Sequence, residues 1–181
     1  MILRFEDLKD NFGPNQSVLG LALFLGGLVQ IVVAVMEFSI GSTFGMTTHG
    51  CYGAFWLSYA MFLIPSLGIQ GAYQGDSHAY SFSMGIYLIT WCFLTTVFLI
   101  ASLKSNLATI LLFVFLLLSD LLLSIANFLL TMNPVVSVAL YKAGGVFSVI
   151  CAMCAYYVAS SALISRETSY LDLPLGAMKI R

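Results

Sequence analysis

LATILLFVFLLLSDLLLSIANFLL, Leu107–Leu130, decides how this chain is read. It exceeds the roughly 20 apolar residues needed to cross a hydrocarbon core, and its one ionisable side chain is Asp120. Backbone groups in lipid have to bond internally, so such a run reads as a membrane-spanning helix. Working outward, four more runs of the same kind follow: Ser17–Phe38, Gly50–Gly68, Phe82–Leu103 and Ser137–Ile164. They fill a chain of 181 residues that is 60% hydrophobic and 8% charged, with mean hydropathy +0.99. A soluble domain carries about 25% charged residues. The expected fold is an all-α membrane protein of five transmembrane helices. It divides into a polar N-terminal tail (1–16), a transmembrane domain (17–164) and a C-terminal tail (165–181).

The same composition excludes several functions. A net charge of −1 gives no sign of a nucleic-acid partner. Cys51, Cys92, Cys151 and Cys154 lie in apolar runs, where cysteine behaves as a small hydrophobe rather than as part of a disulfide framework. Cys151 and Cys154 are one helical turn apart and read as packing. The charged start, with Arg4, Glu6, Asp7, Lys9 and Asp10, does not have the form of a signal peptide. No nucleophile–base pair, phosphate loop or metal-ligand spacing is present, so neither an enzyme nor a cofactor is expected. With five spans, Arg4, Lys9 and Lys142 fall on one side and Lys104, Arg166, Lys179 and Arg181 on the other. The charge bias then puts the C-terminus in the cytoplasm.

Polar residues inside the runs are the candidate functional groups. A lipid-facing Asp120 would cost roughly 2.5–3.5 kcal/mol, so it is expected to face the interior. Ser124 follows one turn on and Asn127 seven residues on, giving one polar stripe. Either an interhelical hydrogen-bonded tie or a role in proton or solute handling accounts for it. Glu37 ends the first run, as a carboxylate at headgroup level or a charge site at a pore mouth. His49 is either a satisfied or solvated histidine or a proton relay. The Gln30 amide needs a partner within the protein and is a candidate to line a polar path. Gly20, Gly26 and Gly27 in the first run, and Ala143, Gly144, Gly145, Ser148, Ala152 and Ala155 in the fifth, let helix backbones touch.

The segment Gly41–Ser58, GSTFGMTTHGCYGAFWLS, is too polar and aromatic for a helix that only faces lipid. Within it, Gly41-Ser42-Thr43-Phe44-Gly45 followed by Tyr52-Gly53-Ala54-Phe55-Trp56 resembles the G-N-T-F-G … S-Y-G-x-F-W signature of the acetate uptake transporter family. That family holds bacterial succinate–acetate permeases and fungal acetate and ammonia-export transporters. Gly20–Gly27 with Gln30, Ser102-Leu103-Lys104-Ser105 and Leu173-Pro174-Leu175-Gly176 are similar to matching family segments. The resemblance runs from about Val18 onward. It implies a six-helix fold, here without the first helix and its N-P-x-P-L-G-L motif, because a polar tail directly precedes what resembles the second helix. Ser42 stands where the family has Asn, and His49-Gly50-Cys51 departs from its usual small or apolar segment.

The resemblance also implies a homohexamer with a pore in each subunit, pinched by a Phe, a Tyr and a Leu. Tyr52 matches the Tyr, Leu116 (or Leu117) the Leu, and the Phe has no counterpart. The expected function is a plasma-membrane transporter or channel for acetate and related short mono- and dicarboxylates, coupled to protons. Thr43, Phe44, Tyr52, Gln30, Asn127 and Leu116 are its candidate path residues, and Glu37, Asp120 and His49 its candidate proton or charge sites. The alternatives are an ammonia or ammonium exporter, or a truncated non-conducting subunit of a hexameric carboxylate transporter.

Overall fold

The computed structural model of the chain describes residues 16–164 and 169–178. Most of the 1–16 tail, and Arg4, Lys9, Arg166, Lys179 and Arg181 used in the orientation argument, lie outside them. The described residues form five long helices and no strand: α1 (Val18–Ser39), α2 (Thr43–Leu63), α3 (Ser77–Ser102), α4 (Leu107–Leu129) and α5 (Pro134–Leu163).

Side-chain caps start three of these helices. Ser42 Oγ accepts from the Gly45 N–H at 3.3 Å, Asn106 Oδ1 from Thr109 N–H at 2.9 Å, and Asn133 Oδ1 from Val136 N–H at 3.3 Å. Each satisfies a donor that a helix's first turn leaves without an internal partner. Pro134, at the first position of α5, has no N–H to leave unpaired. Gly41, at φ +78°, reverses the chain between α1 and α2 in a conformation that residues with a Cβ rarely adopt.

The caps correct the expected limits of the second run. The helix begins at Thr43 rather than Gly50 and ends at Leu63 rather than Gly68. Hydropathy climbs only after the polar first turns, whereas the helix begins at its cap. At the other end Ile64 is extended before Pro65, as a residue preceding proline prefers. Four helices, α1, α3, α4 and α5, are long and apolar enough to cross a membrane. The Ser, Thr, Gly and His residues of α2 dilute its apolarity.

The helices fall into two compact units, Met1–Asp76 with α1 and α2, and Ser77–Arg181 with α3, α4 and α5. In the first, Gln16–Gly20 and Gln30–Ser39 are α-helical and flank Leu21–Val29, which has the wider π-helical hydrogen bonding. Here α1 and α2 meet through glycine. A Cβ on Gly26 would lie 2.5 Å from the Trp56 ring, one on Gly27 2.5 Å from Leu57, and one on Gly53 2.9 Å from Ile31. In the second unit α4 packs against both α3 and α5. Ring pairs Phe98–Phe113, Phe115–Phe147 and Phe82–Phe128 cross these contacts with centroids 5.3–6.2 Å apart.

The segment after α5 returns to the start of α4. Leu107 N–H donates to Gly176 O at 3.0 Å and Ala108 N–H to Leu175 O at 3.2 Å, while Met178 N–H reaches Ser105 O at 3.4 Å. Tyr157 Oη ties the same segment to α5 through Pro174 O at 2.8 Å. Gly176, at φ +69°, makes the bend beside Leu107. Two first-turn amides of α4 are thus satisfied by the chain's C-terminal segment.

Candidate transport site

In the N-terminal unit the candidate residues gather around the α1–α2 turn. Ser42, Thr43, Gly41, Phe38 and Met46 line an open hollow of about 140 Å³, with Phe44 exposed beside it. Glu37 approaches from the end of α1. Its carboxyl lies so close above the Gly45 Cα that any Cβ there would collide with it, and Ser42 Oγ stands 2.7 Å from the same point. An acidic group beside the start of α2 is favourably placed against the helix dipole.

His49 lies one turn further along, with Nδ1 2.9 Å from Gly45 O. A carbonyl only accepts, so Nδ1 carries the proton, as in a satisfied histidine. Thr48 likewise donates to Phe44 O. Tyr52, half-buried, and Gln30, half-buried on α1, complete the set in this unit.

In the C-terminal unit the polar groups run along the second half of α4. Ser119, Asp120, Ser124 and Asn127 are all buried. The expected stripe of Asp120, Ser124 and Asn127 lies inside the unit, but its members bond in different directions. Ser124 Oγ crosses to α3 and donates to Gly85 O at 2.9 Å. Asn127 Nδ2 turns back to Leu123 O on its own helix at 2.8 Å. Ser119 points to α5, donating to Gly144 O at 3.1 Å and meeting Ser148 Oγ at 2.5 Å. Ser137 Oγ donates to Ala126 O at 2.8 Å. Asp120 Oδ2 receives the hydroxyl of Thr95, on α3, at 3.2 Å. Leu116, half-buried, is one turn before Asp120.

Sequence reasoning overlooked Thr95. Its signal was the recurrence of Ser81, Gly85, Cys92, Thr95 and Ser102 along the buried face of α3, where every spacing fits one helix side. Cys151 and Cys154 are free and lie within α5. Among the described residues no cluster of His, Cys, Asp and Glu is fit to hold a metal.

Hydroxyls, amides and one carboxyl turned inward from apolar helices define a multi-pass helical membrane protein that keeps polar groups at depth. The chain belongs to the GPR1/FUN34/yaaH family, whose profile matches residues 11–180. It is 37% identical over 158 residues to the ammonia transport outward protein 2 of Saccharomyces cerevisiae, covering 87% of this chain and 54% of that one. It is 32% identical over 168 residues to the succinate-acetate/proton symporter SatP of Escherichia coli K12, covering 91% and 82%. The fold matches the structure of the bacterial acetate channel SatP with a TM-score of 0.74 at 27% identity, covering 91% of this chain and 86% of that one. The chain spans about half the length of the fungal relatives it matches. These relatives are transporters or channels rather than enzymes.

Proposed function

We propose that this chain provides a membrane path for acetate and related short mono- and dicarboxylates, coupled to protons and working as a homohexamer in the plasma membrane. The observation that carries this reading is the fold match to a bacterial acetate channel across 91% of the chain. The name of the symporter relative supports the dicarboxylate and the proton. In the N-terminal unit Tyr52 is the proposed pinch residue, with Thr43, Phe44 and Gln30 as path residues; in the C-terminal unit Leu116 is the proposed pinch residue and Asn127 a path residue. Such a path offers an apolar fit for the methyl and a few donors for the carboxylate, and a hydrophobic constriction resists bulk ion flow. Thr43 is exposed and has a hydroxyl to give, and Asn127 keeps one amide hydrogen beyond the one spent on Leu123 O.

The test is flux of labelled acetate into liposomes holding the purified chain. Tyr52→Ala is expected to change the rate or the acetate-to-succinate preference several-fold, and an unchanged rate and preference in a well-incorporated variant overturns the pinch assignment. Native mass spectrometry should give six copies, and a monomer defeats the hexamer. A second reading, ammonia export, is favoured by the 37% identity to an ammonia transport outward protein. Methylammonium flux exceeding acetate flux in the same liposomes would select it.

A further inference from the structure

The polar residues of α4 are not alike in what their chemistry requires. Ser119, Ser124 and Asn127 each hand a hydrogen to a backbone carbonyl, at Gly144, Gly85 and Leu123. A hydroxyl or an amide is enough for such a tie. Asp120 makes no tie of that kind. Its bond is to the Thr95 side chain, between two residues that are 7% and 0% exposed. If cohesion were the whole role, Ser or Asn would serve here as at the neighbouring positions. A carboxyl adds the ability to change charge.

The surroundings suit that ability. From α3, Cys92 and Thr95 face Asp120, and from α5 it is Cys151. No Lys, Arg or His among the described residues pairs with it. Lys142 on α5 is exposed, and His78 at the start of α3 bonds Thr131. The neighbouring serine hydroxyls are already committed. A neutral acid needs one partner that both gives and takes a hydrogen, which Thr95 can be, whereas a carboxylate accepts about four bonds. Losing the proton therefore calls for water or a moved donor. Proton occupancy at Asp120 is in this way linked to hydration of the α3–α4 seam.

We propose that Asp120, partnered by Thr95, is the proton-exchanging carboxyl of this protein. Glu37 and His49, on α1 and α2, belong to the N-terminal unit and take no part in the α3–α4 seam. The assignment rests on the transport reading for its consequence but not for its direct test.

That test is infrared difference spectroscopy of the full chain in bilayers, stepped between acidic and alkaline buffer. A protonated-carboxyl C=O band is expected to rise and fall with pH, to vanish in Asp120→Asn, and to shift in Thr95→Val with recovery in Thr95→Ser. A spectrum in Asp120→Asn that titrates like the wild type overturns the assignment. If Asp120→Asn does not fold, a band unmoved by Thr95→Val overturns it equally. In liposomes, stimulation of labelled acetate uptake by an inward proton gradient is expected to fall to near one-fold in Asp120→Asn. Full stimulation in that variant defeats the coupling role. Absent uptake in the wild type with a titrating Asp120 band would remove the transport reading and leave the proton site standing.

Discussion

Both units bring their helices together over glycine, and in the C-terminal unit hydroxyls also bond the glycine carbonyls. Lipid removes the usual drive to bury apolar surface, so helices in a bilayer associate through close packing and interhelical hydrogen bonds. In the N-terminal unit, Gly26, Gly27 and Gly53 let Trp56, Leu57 and Ile31 lie directly on backbone. In the C-terminal unit Gly85 and Gly144 admit Phe128 and Leu123 in the same way, yet their carbonyls also accept from Ser124 and Ser119. One class of residue is a packing surface in one unit and both packing surface and hydrogen-bond acceptor in the other. Small residues in a membrane sequence therefore indicate contact, and the hydroxyls opposite them show whether that contact also bonds.

The largest expected effect is in the N-terminal unit. Gly26→Ile drives a branched side chain into the Trp56 ring and should cost about 1–3 kcal/mol, read by steric-trap unfolding in bicelles. A neutral result would mean that α1 and α2 are not held by close approach. Next, Ser42→Ala removes the α2 cap and should cost about 1 kcal/mol, whereas Ser42→Asn, an equally good cap, should cost almost nothing. The same unfolding assay separates them, and equal losses would show that capping is not what the hydroxyl does.

The smallest effect sharpens the contrast. Ser124→Ala deletes only the bond to Gly85 O and should cost about 0.6 kcal/mol, typical of interhelical hydrogen bonds in membranes. A loss exceeding that of Gly26→Ile would invert the comparison and make hydrogen bonding the stronger of the two means.

The helices α1, α3, α4 and α5 were legible in the sequence because each carries a long apolar run. The start of α2 was misplaced because apolarity says nothing of where a cap lies. Burial of Asp120, Ser124 and Asn127 was readable from their spacing and the cost of exposing them to lipid. Their separate bonding directions were not, since these depend on which carbonyl a neighbouring helix presents. The π-helical stretch Leu21–Val29 left no mark on the hydropathy pattern, because a change of hydrogen-bond register does not alter which residues are apolar. The motif around Tyr52 brought the family into view, and Thr95 stayed hidden because one threonine in a small-residue face looks like packing alone.

The return of the C-terminal segment to α4 has a consequence for biosynthesis. Leu107 and Ala108 bond to Gly176 and Leu175, residues that leave the ribosome after all of α4 and α5. The helix carrying Leu116, Asp120 and Asn127 thus emerges with two amides lacking their final acceptors. Its amino end is completed only after α5 and the segment that follows it have been made, which ties the assembly of α4 to sequence some seventy residues downstream.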